Sequence, residues 1–173
     1  MWINVEDLQE EGLSFAGEVQ IELPDVTADD GIRLITPLRC EVHASREGGG
    51  LRLVGNICGR LEIACGRCLK RLEMPLERAF RLLYQPIGQT GEFGDRELDE
   101  VDLEVDYYDS VGLDLRRSLI EQVQLAIPMK VLCRYECKGL CPQCGIDLNC
   151  KSCECTRPVD PRLEPLAALR ERL

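Results

Sequence analysis

The chain has 173 residues, with 21 Lys plus Arg against 31 Asp plus Glu, one His, eleven Cys and a formal net charge of −10. With 45% hydrophobic residues it can bury a core, which excludes an intrinsically disordered chain. No apolar run reaches the roughly 18 to 20 residues that span a bilayer, and the acidic start Met1-Trp-Ile-Asn-Val-Glu-Asp7 lacks the basic and apolar regions of a signal peptide, so a reducing cytoplasm is expected.

The first half reads as strands. Residues 14–23, 34–46, 51–63 and 69–84 carry stretches of period-two alternation, and Glu47-Gly-Gly-Gly50 between the second and third is a hairpin signal. The pattern predicts an antiparallel meander, with Cys65-Gly-Arg-Cys68 presented on the turn between the third and fourth strands. Residues 88–109 are strongly acidic. They read either as a solvated loop followed by an acidic-faced edge strand through Val101, Leu103 and Val105, or as a surface for a basic partner. Asp114 is placed to cap a helix over 115–127, whose Leu115, Leu119, Val123 and Ile127 share a face before Pro128 stops it. The remainder holds seven cysteines and then Leu163, Leu166 and Leu169 at helical spacing. The predicted class is α+β: a twisted antiparallel sheet with one main helix over residues 1–128, and a Cys-rich zinc-knuckle module with a C-terminal docking segment over 129–173, packed on the first.

Cysteines in a reducing compartment are better metal ligands than disulfide partners. The one imidazole, His43, lies in an alternating segment away from the cysteine clusters, so any site is built almost wholly from thiolate. Such a site suits structural zinc or an iron–sulfur cluster, not an open hydrolytic metal. In Cys141-Pro-Gln-Cys144-Gly145 the two thiols reach adjacent corners of a tetrahedron, Pro142 presets the turn, and Gly145 permits the positive φ that aims backbone N–H groups at sulfur. Cys153 and Cys155 are its nearest completing pair, with Cys150 as a substitute. Cys65 and Cys68 form the other such turn, with Cys133 and Cys137 as the natural complement. Two zinc ions per chain follow. Cys40 and Cys58 then read as small buried strand residues.

Cys137-x3-Cys141-x2-Cys144 also has the spacing of radical S-adenosylmethionine cluster ligands, but the chain after Cys144 is far too short for a barrel. A thioredoxin-type reading of Cys65 and Cys68 needs a helix N-terminus, whereas the flanks alternate like strands. No nucleophile with an orienting base and no phosphate-cradling glycine loop is present, so no enzyme is expected.

Several strings together resemble the YceD family, the large ribosomal RNA subunit accumulation proteins of bacteria and plastids. They are Cys65-Gly-Arg-Cys68-Leu69, Phe80-Arg-Leu-Leu-Tyr84, Ala126-Ile-Pro128, Leu132-Cys133, Cys137-Lys-Gly-Leu-Cys-Pro-Gln-Cys-Gly145, Leu148-Asn149, Cys153-x-Cys155 and Asp160-Pro-Arg-Leu163, in that order. The resemblance implies a non-catalytic factor needed for accumulation or processing of large-subunit ribosomal RNA, acting in ribosome assembly. The family's wider retention of the first Cys-x2-Cys turn, and its His-x-His variants of the last pair, imply the same grouping of ligands.

Charge complicates direct RNA contact, since phosphate binding draws on basic surface. Two four-thiolate zinc sites would take the chain from −10 to about −14. The distribution is uneven: residues 1–58 sum to −7 and 92–112 to −8, but 59–91 to +3 and 129–173 to +2. Metal joining of the cysteine clusters would gather Arg60, Arg67, Lys70, Arg71, Arg134, Lys138 and Lys151 as candidate RNA contacts. Two alternatives stand beside that patch. The cations can simply compensate the thiolate sites, or the acidic segment can hold a basic ribosomal protein without direct RNA contact.

Overall fold

The alternation of residues 38–64 is realised as two long paired strands that organise everything around them. The structure is a computed structural model, and it describes residues 1–5, 8, 11–23, 31–87, 105–108, 112–155 and 162. Among the described residues the elements are β1 (Trp2–Asn4), β2 (Leu13–Val19), β3 (Arg33–Leu34), β4 (Leu38–Glu47), β5 (Gly50–Ala64), β6 (Arg71–Pro86), β7 (Val105–Tyr108), β8 (Gly112–Asp114) and the helix α1 (Leu115–Ala126).

Leu38, Cys40, Val42 and Ala44 of β4 and Leu51, Leu53, Ile57, Leu61 and Ile63 of β5 are buried, while Arg39, Glu41 and His43 of β4 and Val54, Asn56 and Arg60 of β5 are exposed. The turn joining these strands has Gly48 and Gly49 at φ 58° and 83°, the paired positive values that match strand twist in a tight hairpin. β5 and β6 then pair antiparallel from Leu51↔Tyr84 to Ala64↔Arg71. At Gly55 a Cβ would collide with the carbonyl of Glu41 and the ring of Phe80, so the glycine lets Phe80 lie across β5.

Two details depart from the expected meander. The stretch expected as one strand over 34–46 is broken by Pro37, which lacks an N–H. Ile35 N still donates to Arg60 O at 2.9 Å, and the Thr36 hydroxyl replaces a backbone acceptor for Arg60 N at 3.0 Å. Along one edge of β5, β4 and then β3 therefore follow each other as partners. The second departure is β7, which pairs with β6 in parallel, giving the order β2-β4-β5-β6-β7 in a mixed sheet. Of the acidic segment only Val105–Tyr108 is described as a strand; Val101 and Leu103 lie outside the described residues, as do Leu163, Leu166 and Leu169 of the expected docking segment.

Asp114 caps α1 by accepting from Arg116 N at 3.0 Å, and Ile127 ends it in an extended conformation just before Pro128. Leu115, Leu119 and Val123 enter the core. The same face also buries Ser118 and Gln122, and β6 answers both: the Tyr84 hydroxyl lies 2.8 Å from Ser118 Oγ, and Arg78 Nε donates to Gln122 Oε1 at 3.0 Å. Polar groups on a core face are tolerable because they are partnered. Among the described residues no helix is long and apolar enough to cross a membrane.

The chain divides into two compact units, Met1–Ala64 with Arg71–Val131, and Cys65–Lys70 with Leu132–Leu173. The turn between β5 and β6, counted above within residues 1–128, thus groups with the Cys-rich segment.

Candidate metal centre

The Cys-rich unit is built from two turns of the same construction. In the first, Cys65 N donates to Lys70 O at 2.8 Å and Leu69 N to Cys65 O at 3.0 Å. In the second, Cys141 N donates to Ile146 O and Gly145 N to Cys141 O, both at 2.9 Å. Each needs a positive φ after its second cysteine. Gly145 supplies it at 72°, but the first turn uses Leu69 at 59°, an exposed leucine in the region that costs a side chain about 1 to 2 kcal/mol.

The rest of the unit clasps the first turn. Leu140 N donates to Arg67 O at 3.1 Å, and Arg67 Nη1 donates to Cys137 O at 2.6 Å. Gly139, at φ 78°, lets the chains approach, since a Cβ there would stand 3.0 Å from Arg67 O.

This scaffold gathers eight thiols into two groups. Cys65, Cys68, Cys133 and Cys137 have Sγ atoms all within 4.8 Å of one another, as do Cys141, Cys144, Cys153 and Cys155. In the first group Cys65 and Cys137 Sγ are 3.9 Å apart and Cys68 and Cys133 Sγ 3.6 Å. A tetrahedron with metal–sulfur bonds of about 2.3 Å has edges of about 3.8 Å. A disulfide would need about 2.05 Å. The donor set fits a divalent metal with four thiolates and no imidazole or carboxylate.

Polar groups around the sulfurs support negative charge there. Backbone N–H groups of Cys68 and Arg67 hold the Cys65 thiol down at about 6, and those of Cys144 and Gln143 do the same for Cys141, also about 6. Cys133 is pushed up to about 12 by burial and its neighbour Cys137, and Cys155 to about 12 by its contact with Cys144 and by burial. One thiol in each group is thus primed as a thiolate and another resists ionisation. A cation bound among the four would favour the ionised form of every one of them.

The groups differ in setting. Cys65, Cys68 and Cys137 are buried, whereas Cys144 and Cys155 are exposed. Asn149, in the turn within the second group, reaches back to the first: its Nδ2 donates to Cys137 Sγ at 3.5 Å and to Asp147 Oδ1 at 2.6 Å. Its Oδ1 accepts from Lys138 N at 2.9 Å and Arg134 Nη2 at 2.8 Å. Cysteine spacing gives Asn149 no role. Its signal was the turn-forming pair Asp147-x-Asn149. Cys150 stands outside both groups, exposed, with Sγ 3.7 Å from Asp147 Oδ2. Cys40 is fully buried in β4 and Cys58 half-buried in β5. His43 bonds Ser14 Oγ through Nδ1 at 2.9 Å.

The candidate RNA contacts separate. Arg60 and Arg71 belong to the sheet unit, where Arg60 pairs with Glu73 at 3.5 Å and Arg71 with Glu62 at 3.4 Å. Arg67 and Arg134 are committed to Cys137 O and Asn149 within the Cys-rich unit. Lys70, Lys138 and Lys151 are exposed there and make no ion pair among the described residues.

Residues 53–170 match the family described as "Large ribosomal RNA subunit accumulation protein YceD". The chain belongs to the YceD family. An uncharacterized protein of Mycobacterium tuberculosis is 30% identical over 151 residues, covering 87% of this chain and 68% of its own length. The "Large ribosomal RNA subunit accumulation protein YCED homolog 1, chloroplastic" of Arabidopsis thaliana is 28% identical over 160 residues, 80% of this chain and 50% of that protein. The Zea mays protein of the same name is 27% identical over 154 residues, 76% and 53%. The chain thus spans about half the length of these plant YceD relatives. No solved structure matches.

Proposed function

We propose that this YceD protein is a non-catalytic, zinc-stabilised factor of the reducing cytoplasm that promotes accumulation of large-subunit ribosomal RNA during ribosome assembly, and that its Cys-rich unit contacts that RNA or its precursor. The observation that carries the reading is the pair of all-cysteine tetrads within a chain of this family. Cys65, Cys68, Cys133 and Cys137 would hold one zinc, and Cys141, Cys144, Cys153 and Cys155 the other. A four-coordinate all-thiolate zinc has no open position, so its work is to fix the unit's shape. What it fixes is a surface with exposed lysines, the kind of irregular module that reads unpaired RNA.

Affinity purification of the full chain from its native cells tests this. Large-subunit ribosomal RNA should co-purify and wash off steeply as salt rises. Recovery of a basic ribosomal protein with no RNA would overturn direct contact. That result would favour a second reading suggested by the −8 charge of residues 92–112, in which the acidic segment holds the basic protein.

A further inference from the structure

The second tetrad's turn borders an open cleft of about 400 Å³, lined among others by Lys138, Asn149, Cys150, Lys151 and Ser152. Its two lysines are fixed at the backbone. Lys138 N donates to Asn149 Oδ1 at 2.9 Å, and Lys151 N donates to Asp147 O at 3.0 Å. Arg134 Nη2 donates to the same Asn149 Oδ1 at 2.8 Å, so Asn149 ties Arg134 and the backbone of Lys138 together.

Asp147, the ionised carboxylate of this turn, is not among the residues that line the cleft. Asp147 Oδ1 accepts from Asn149 N at 2.9 Å and from Asn149 Nδ2 at 2.6 Å, and its Oδ2 faces Cys150 Sγ at 3.7 Å. Glu136 and Glu154 line no part of the cleft. Arg134 is followed by Tyr135, which is 93% exposed. An exposed aromatic next to Arg134 in the chain, with Lys138 and Lys151 in the same unit, offers the pairing that single-stranded nucleic acid uses, phosphates on cations and a base on a ring.

We infer that this cleft binds the phosphodiester backbone of single-stranded RNA, with Lys138 and Lys151 neutralising phosphates and Tyr135 stacking on an adjoining base. The inference rests on the RNA-contacting reading given above and narrows its seven candidate cations to the two that line a cleft. Arg60 and Arg71 lie in the sheet unit in surface ion pairs with Glu73 and Glu62, and Arg67 is held on Cys137 O, so none of them lines this cleft.

The test is fluorescence anisotropy of a labelled oligouridylate with the zinc-loaded full chain across a salt series. Removing two phosphate contacts in the double variant Lys138→Gln, Lys151→Gln should lower the slope of log K against log salt by about 1.4, from about 0.7 per contact on a single strand. Lys70→Gln, outside the cleft, should leave the slope unchanged. Tyr135→Leu should weaken binding about tenfold at every salt concentration with little change of slope. Inorganic phosphate at matched ionic strength should fail to displace the oligonucleotide; displacement would mean a simple anion site and overturn the proposal. Zinc content of each variant reports whether the unit still folds, and both lysines are exposed. A wild-type chain that binds no oligouridylate would sink the RNA reading itself. Wild-type binding with an unchanged slope in the double variant would overturn the cleft alone.

Discussion

Asn149→Ala is the substitution that separates a mere cluster of thiols from an organised metal centre. It removes the Nδ2 donor 3.5 Å from Cys137 Sγ and the Oδ1 acceptor for Lys138 N and Arg134. Lys138 is exposed, so water can replace its lost acceptor at little cost. The effect therefore concentrates on the first tetrad, through the lost N–H···S contact and through the turn that Asn149 no longer ties down. Loss of such an outer partner typically weakens metal affinity 10- to 100-fold, about 1.4 to 2.7 kcal/mol. Asn149→Asp keeps the acceptor but turns a carboxylate toward a thiolate, and should cost more. Chelator competition with a chromophoric zinc indicator reads both variants. One of two zinc ions should be released more readily, and Cys65 or Cys137 should become open to alkylation first. Wild-type affinity at both sites in Asn149→Ala, or weakening confined to Cys141, Cys144, Cys153 and Cys155, would refute the reasoning.

In metal-free protein, Cys65 and Cys141 sit at about 6 when folded, below the roughly 8.5 of a free thiol, so their ionisation stabilises the fold fully above about 8.5 and that contribution is lost as pH falls through about 6. Thiolate ultraviolet absorbance of the metal-free chain, which does not depend on reagent access, should rise in an early step at about 6 while Cys133 and Cys155 hold their protons up to about 12; one step at about 8.5 would contradict it. Tyr84→Phe leaves the buried Ser118 hydroxyl without its 2.8 Å partner and should cost about 1 to 2 kcal/mol in urea unfolding. An unchanged midpoint would show that the pair contributes nothing. Leu69→Gly relieves the positive φ of an exposed side chain and should raise stability by up to about 1 kcal/mol by thermal melting, whereas a loss would mean that Leu69 packs usefully.

Local chemistry was legible in the sequence, and long-range pairing much less so. The alternation of Leu38, Cys40, Val42 and Ala44 reports the buried face of β4 because side-chain direction in a strand has period two. Asp114 and Pro128 bracket α1 because capping and proline act within a turn. The parallel pairing of β7 was not legible, since periodicity says which face a strand buries but not which neighbour it joins or in what direction. Ser118 and Gln122 read as polar positions on the helix; only the fold brings Tyr84 and Arg78 to them. The Cys-x2-Cys turns announce themselves by spacing. The uses of Arg67 and Arg134 depend on a carbonyl and an amide that only the folded unit brings near, so charge that looks free in the sequence is tied to Cys137 O and Asn149 in the fold.

Elemental analysis of the purified chain tests the central claim most directly. Two zinc per chain are expected, falling to about one when Cys141 and Cys144 are both replaced by serine, with the more buried first tetrad still loaded. Iron in place of zinc, or a chain that holds no metal and keeps its fold, would contradict it.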